Sequence, residues 1–205
     1  MEISTLNDEK TILKQKGERE YLLCKKCEIE FSKYERSMSQ IFYHGEREII
    51  HQNRDEIIVE NINYSFLKLF QLSILWRASI SNLRIFKDVE LGTHEEKIRT
   101  MLLNKNPGRF YEYGCLLFSI KMDNEKLVDG LILSPEYYKA EGFGNYRFTF
   151  GGLIWNYVVS SHNHKFELKD YFLSEDGRLT IRMKKIQDIK YIMELGFELS
   201  KQGKL

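Results

Sequence analysis

The sequence predicts an α+β fold: a helical first half, an antiparallel sheet in the second half, and a closing helix. Three observations carry this. Cys24 to Tyr43 carries apolar residues at Cys27, Ile29, Phe31, Tyr34, Met38, Ile41 and Phe42, among which gaps of three, four and three recur, the spacing of an amphipathic helix. Phe66 to Ile80 is apolar almost all the way round a helix, so it belongs at the centre of a fold. After residue 110 the chain turns to short aromatic and β-branched runs punctuated by glycines, which read as strands and turns.

Taken in order, residues 1–20 are polar and predict a loosely docked arm. Residues 21–106 form the helical part. Its first helix covers Cys24 to Tyr43. Glu48-Ile49-Ile50 and Glu56-Ile57-Ile58-Val59 predict two short strands joined by a turn at Asn53-Arg54-Asp55. Tyr64 to Asn82 is the second helix. Thr93-His94-Glu95-Glu96 opens a third and has the form of a capping box, with Thr93 accepting from the Glu96 N–H and Glu96 reaching back. That helix ends before Pro107-Gly108.

Residues 107–205 hold the β part. Strands are expected at Tyr113 to Met122, Leu127 to Leu133, Tyr146 to Phe150, Leu153 to Ser160 and Leu179 to Met183. Gly142-Phe143-Gly144 and Gly151-Gly152 mark turns or bulges, and Ser174-Glu175-Asp176-Gly177 a turn. Ile186 to Gln202 closes the chain as a helix through Ile189, Ile192, Met193, Phe197 and Leu199. The boundary between the parts falls near Asn104 to Gly108, and the parts are expected to pack as one compact unit.

Composition narrows the class. The chain has 205 residues, 42% of them hydrophobic, with only 2 Pro and 13 Gly, which excludes a disordered or collagen-like chain. Thirty-one Lys and Arg against 30 Asp and Glu leave a net charge of +1, so the whole protein is no polycation. Three cysteines are an odd and sparse set for a secreted disulfide framework. Met1 to Lys16 has no apolar core of a signal peptide. Phe66 to Ile80 is interrupted by Lys68, Gln71 and Arg77 and is shorter than the roughly 20 residues of a membrane span. A soluble cytoplasmic protein with no membrane partner is expected. No P-loop, Gly-x-Ser-x-Gly elbow or His-Glu-x-x-His motif is present.

Four features carry possible chemistry. Cys24-Lys25-Lys26-Cys27 opens the first helix; cysteines three apart there share one side, and the helix dipole favours thiolates. The pair is half of a four-ligand zinc site. His44 and His51 lie too far along for zinc-finger spacing. The pair is therefore two packed thiols, a zinc site completed by a distant loop, a site shared between two chains, or a redox pair, although the βαβ context of a thioredoxin-type pair is missing. His162-Asn163-His164 is the one histidine cluster, read as a solvated turn or a metal or catalytic site. Arg77, in an otherwise apolar helix, either pairs with an acid such as Glu95 or Glu112 or lines a pocket that meets a phosphate or carboxylate. Arg178 to Leu205 holds seven basic residues against three acidic, with Arg182, Lys184 and Lys185 clustered. With 12 Tyr and 13 Phe in the chain, that cluster is either an ordinary solvated face or a DNA- or RNA-binding one.

Leu22-Leu23-Cys24-Lys25-Lys26-Cys27-Glu28 with Phe31-Ser32-Lys33-Tyr34-Glu35, then Leu72-Ser73-Ile74-Leu75-Trp76-Arg77-Ala78-Ser79, Leu91 to Arg99 and Phe150-Gly151-Gly152, resemble segments of a largely uncharacterised bacterial family similar to the treble-clef half of HNH-type nucleases. The resemblance implies a treble-clef-like start to the fold. The upstream CxxC and histidine-bearing segment of that pattern have no counterpart before residue 20. An HNH nuclease needs a general-base histidine beside its metal, so a degenerate relative, or one whose sequence starts late, is implied. The expected function is a nucleic-acid-associated bacterial protein, a degenerate HNH-like component of anti-phage defence. The alternative is a non-catalytic module for self-assembly or binding another protein, with a structural cysteine pair. A weaker third is a phosphate-ester enzyme using Arg77 and the histidines.

Overall fold

The computed structural model describes residues 19–43, 48–163 and 167–201. Helix α1 (Lys25–Phe42) buries Phe31, Tyr34, Met38 and Ile41, the stripe its spacing predicts. Strands β1 (Glu48–Gln52) and β2 (Glu56–Glu60) form a hairpin. Asn53 closes it: its Oδ1 accepts from the Asp55 and Glu56 N–H groups at 2.7 and 2.9 Å, an Asx turn. Helix α2 (Tyr64–Ser79) is capped by Asn63, whose Oδ1 accepts from the Phe66 N–H at 3.1 Å. It buries residues on nearly every side, Leu67, Lys68, Leu69, Phe70, Gln71, Leu72, Ser73, Leu75 and Ala78.

Helix α3 (Thr93–Leu103) follows. Thr93 is its first helical residue rather than its cap, so the expected capping box does not form. Gly92 takes the cap position at φ +55°, a left-handed turn that a residue with a Cβ enters only with strain. Strands β3 (Cys115–Lys121), β4 (Leu133–Ala140), β5 (Phe143–Phe150) and β6 (Leu153–Val158) come next. The β5–β6 turn is Gly151-Gly152, both at positive φ (62° and 74°), the conformation that a two-residue hairpin loop following the sheet twist requires. Leu127 to Leu133 is not the strand expected of it. Leu127 makes one isolated bridge to Lys121, Asp129-Gly130 breaks the run, and the strand begins at Leu133. Strand β7 (Leu179–Lys185) and helix α4 (Lys190–Lys201) complete the described chain.

The protein is α+β, with N-terminal helices, a sheet and a closing helix. The seven strands make one sheet in the order β1-β2-β7-β3-β6-β5-β4. The sheet is mixed, where a purely antiparallel one was expected, and β1 and β2 join it from the helical part. The cause is insertion. β2 and β3 run in opposite directions, so β7, hydrogen-bonded to both, is antiparallel to β2 and parallel to β3.

Alternation along the strands creates two unlike faces. One carries Val59, Leu117, Phe148, Trp155, Tyr157, Leu179 and Ile181 into the main core beneath α1, α2 and α3. Trp155 is fully buried there, between the rings of Phe42, Phe70 and Phe150. The other face carries Leu116, Phe118, Ile120, Ile154 and Val158, partly covered by Phe172, Ile189 and Ile192.

Candidate functional site

On that second face the apolar patch gives way to charge. Cross-strand pairing of Phe118 with Arg182, and of Asn156 with Arg147, places Arg182, Lys184, Arg147 and Asn156 on one side of β7, β6 and β5. The guanidinium of Arg147 lies between two rings, 4.1 Å from the Tyr191 centroid and 4.7 Å from that of Tyr138. It also donates to Glu136 Oε2 at 2.9 Å. Lys184 Nζ sits 4.7 Å from the Phe118 ring centre, and Arg182 stacks 5.1 Å from Tyr171. Tyr191 Oη is 3.0 Å from Thr149 Oγ1, which ties the first turn of α4 to β5.

Between this face and the start of α4 is a cavity of about 260 Å³, lined by Phe118, Arg147, Ile154, Asn156, Lys184, Asp188, Ile189, Lys190, Tyr191 and Glu194. In its wall, Asn156 Oδ1 is buried and accepts no hydrogen bond. Burial, then the charges of Arg182 and Arg147, hold the Lys184 ammonium below its ordinary pKa. Burial raises the phenols of Tyr138 and Tyr191. The cavity therefore offers the cations of Arg147, Lys184 and Lys190 beside the carboxylates of Asp188 and Glu194, with Phe118 and Tyr191 as aromatic wall.

Of the three basic residues singled out in the sequence, the structure joins two. Arg182 and Lys184 share the cavity side, whereas Lys185, one residue on, lies on the opposite side of the strand with Nζ 3.9 Å from Asp123 Oδ1. Arg147, Asn156 and Tyr191 were not foreseen. The one available signal is Arg147, a cation alternating with Tyr146 and Phe148 along β5.

The cysteine pair sits at the opposite end of the chain. Cys24 occupies the α1 cap position and is exposed; Cys27, in the first turn, is half-buried. The Cys27 backbone, then the Cys27 side chain, then the Lys26 backbone, all at the start of α1, hold the Cys24 thiol below its usual pKa. The same contact and burial raise Cys27. Upstream, Glu20 accepts from Ser81 Oγ at 2.8 Å and from Asn82 Nδ2 at 2.9 Å, which docks the entry to α1 onto the end of α2. Tetrahedral zinc needs four donors. Among the described residues no group of three or more His, Cys, Asp or Glu side chains is placed to hold a metal ion. His44 lies outside the described residues, and His51, on β1, bonds to Asn53 Nδ2 at 2.9 Å.

Arg77 is ion-paired, with Glu35 of α1 at 2.9 Å rather than with Glu95 or Glu112. Its Nε donates to Ser73 O at 3.2 Å, and its guanidinium lies 5.8 Å from the Phe31 ring centre. Three- and four-residue periodicity could not reveal that partner, because it depends on how α1 crosses α2. His162 is exposed after β6, and its N–H donates to Ser160 Oγ at 3.2 Å; His164 lies outside the described residues. The sequence also gave no role to Lys68. It is fully buried, donates to Tyr113 O at 3.1 Å, and burial lowers its pKa to about 8.

Compared with family models, curated proteins and solved structures, the chain matches none. Among the described residues no helix is long and apolar enough to cross a membrane.

Proposed function

We propose that the protein is nucleic-acid-associated and holds a single-stranded stretch of DNA or RNA against the sheet face beside α4. The observation that carries this reading is the placement of Arg147, Arg182 and Lys184 on one face, with Arg147 and Lys184 lining an aromatic-walled cavity. Phosphates meet the cations, and a base stacks beside Tyr191. A single strand fits better than a duplex because a cavity of about 260 Å³ admits one unstacked base and no groove. The HNH-like resemblance adds anti-phage defence as the setting.

The test is binding of labelled single-stranded and duplex oligonucleotides over a series of salt concentrations. Neutralising three phosphates on a single strand gives a log–log salt slope of about −2. The double variant Arg182→Ala, Lys184→Ala is expected to weaken binding by about tenfold or more and to flatten the slope. Lys185→Ala is expected to change neither. Salt-independent binding, or an equal loss from Lys185→Ala, overturns the reading.

A second reading, the self-associating or protein-binding module, is favoured by Met193 and Phe197. They stand four apart on α4, 47% and 61% exposed. Sedimentation of the parent and Phe197→Glu tests it: a parent assembly that the variant dissolves supports this reading, and a parent monomer removes the self-associating form.

A further inference from the structure

Cys24 and Cys27 are the only thiols among the described residues that are not fully buried, and the nucleic-acid reading leaves them unused. We infer that they are a redox-active dithiol, which a small disulfide carrying negative charge converts to an intramolecular Cys24–Cys27 disulfide. Three placements support this. Cys24 at the cap and Cys27 in the first turn of α1 stand three apart, a spacing that puts both side chains on one side of the helix start, and a disulfide spans Cα atoms roughly 4.4–6.8 Å apart. The two sulfurs are unequal: Cys24 is open to an incoming disulfide, and Cys27 is half-buried behind it, the division of labour between an attacking and a resolving thiol. Lys25 and Lys26 are exposed beside Cys24, which suits a substrate bearing carboxylates.

The chemistry balances. Cys24 thiolate attacks one sulfur of R–S–S–R; the Cys24–S–R bond forms as the S–S bond breaks, and RS⁻ departs. Cys27 gives up its proton and attacks Cys24 sulfur, forming the protein disulfide and expelling the second RS⁻. The proton from Cys27 ends on a departing thiol. The protein loses two electrons, and the small disulfide gains them. Cys115 takes no part: it is 1% exposed, and burial raises its thiol pKa, so it serves as an internal reference.

The experiment uses the full chain, reduced, freed of reductant and assayed for bound metal, then equilibrated in glutathione–glutathione disulfide buffers before alkylation and intact-mass measurement. The expected result is loss of two alkylatable thiols in one two-electron step, within a single chain, with Cys115 retained. Cys27→Ser is expected to trap glutathione on Cys24, and Cys24→Ser to abolish the reaction. In native protein Cys24 is expected to react with an aromatic disulfide reagent at least about tenfold faster than Cys115. Three thiols persisting across the buffer series, separate glutathionylation of both cysteines, a disulfide joining two chains, or a stoichiometric metal ion protecting both sulfurs would each overturn the inference. Both cysteines lie at the start of α1, which packs on the opposite face of the sheet from the cations, so oligonucleotide binding by the Cys24→Ser variant separates this inference from the nucleic-acid reading.

Discussion

The two faces of the sheet differ in how completely they are covered. Beneath α1, α2 and α3 the core is continuous and aromatic, with Trp155, Tyr157, Leu72, Leu75 and Ile98 fully buried. Across the sheet, α4 covers a smaller apolar cluster and leaves a cavity edged by Arg147, Lys184 and Asn156. Folding alone would favour filling that space with hydrocarbon, because a void forfeits packing contacts along its lining. One side of the sheet is closed over by three helices, and the other keeps a partly charged cavity beside a single helix. That contrast directs the search for function to the α4 side.

The contrast is testable by truncation. Trp155→Ala removes the centre of a ring cluster with no space to relax into and is expected to cost about 3–5 kcal/mol. Ile192→Ala, in the smaller cluster at 8% exposure, is expected to cost about 2 kcal/mol. Chemical denaturation of both variants checks this; equal losses would make the two faces energetically alike.

Lys68 is the exception that sharpens the comparison, a cation inside the stable side. Its ammonium serves the backbone: it donates to the carbonyl of Tyr113, a non-glycine residue held at φ +49°. Its folded pKa of about 8 lies below its ordinary value of 10.5. Between those values the unfolded chain binds a proton that the folded chain does not, so stability rises with pH across that window. Below about pH 8 both states are protonated, and the cost of burying the charge is present in full. The rise is expected to be roughly 2–3 kcal/mol. It is opposed above about pH 9 by Cys115 and above about pH 10 by Tyr157, whose thiol and phenol burial keeps protonated when folded. Lys68→Met is expected to remove this contribution, read as the difference in stability between parent and variant by denaturation at a series of pH values, so that the variant shows no rise between about pH 8 and 9. A rise that persists in Lys68→Met would place the titrating group elsewhere.

How much of this was legible in the sequence depended on whether the cause was local. Helix α2 showed itself because an apolar run with Asn63 before it carries both its burial and its cap. The β1–β2 hairpin showed itself because Asn53 supplies its own turn. The α3 start was misplaced by one residue because Gly92 and Thr93 are both plausible caps, and only the backbone dihedral decides between them. Strand β4 was missed because it is an edge strand: Pro135 interrupts it near a register shift, and most of its side chains meet solvent. The cavity was hidden for another reason. Arg147 and Tyr191 meet only because α4 folds back over β5, and nothing near either residue encodes that crossing. The split of Lys184 from Lys185 was readable from period-two alternation once the run was known to be strand throughout.

The smallest expected effect concerns the pair joining α1 to α2. A charged residue in an apolar helix suggests a buried pair, whose rupture would cost about 3–5 kcal/mol. The geometry argues for less. Glu35 is 45% exposed and Arg77 22%, so water solvates the acid once its partner is removed, and screening limits what the pair contributes. Arg77→Met keeps the aliphatic stem packed against Phe31 and removes only the charge. The expected loss is about 1 kcal/mol or less, and Glu35→Gln should match it, with little further change in the double variant, because both single changes break the same contact. Losses beyond about 3 kcal/mol from Arg77→Met alone would mean that its guanidinium supports more than Glu35 and the Ser73 carbonyl. The buried Tyr157 hydroxyl, which accepts and donates no hydrogen bond and whose ionisation Arg77 favours electrostatically, would then be the group to test next, by Tyr157→Phe in the same background.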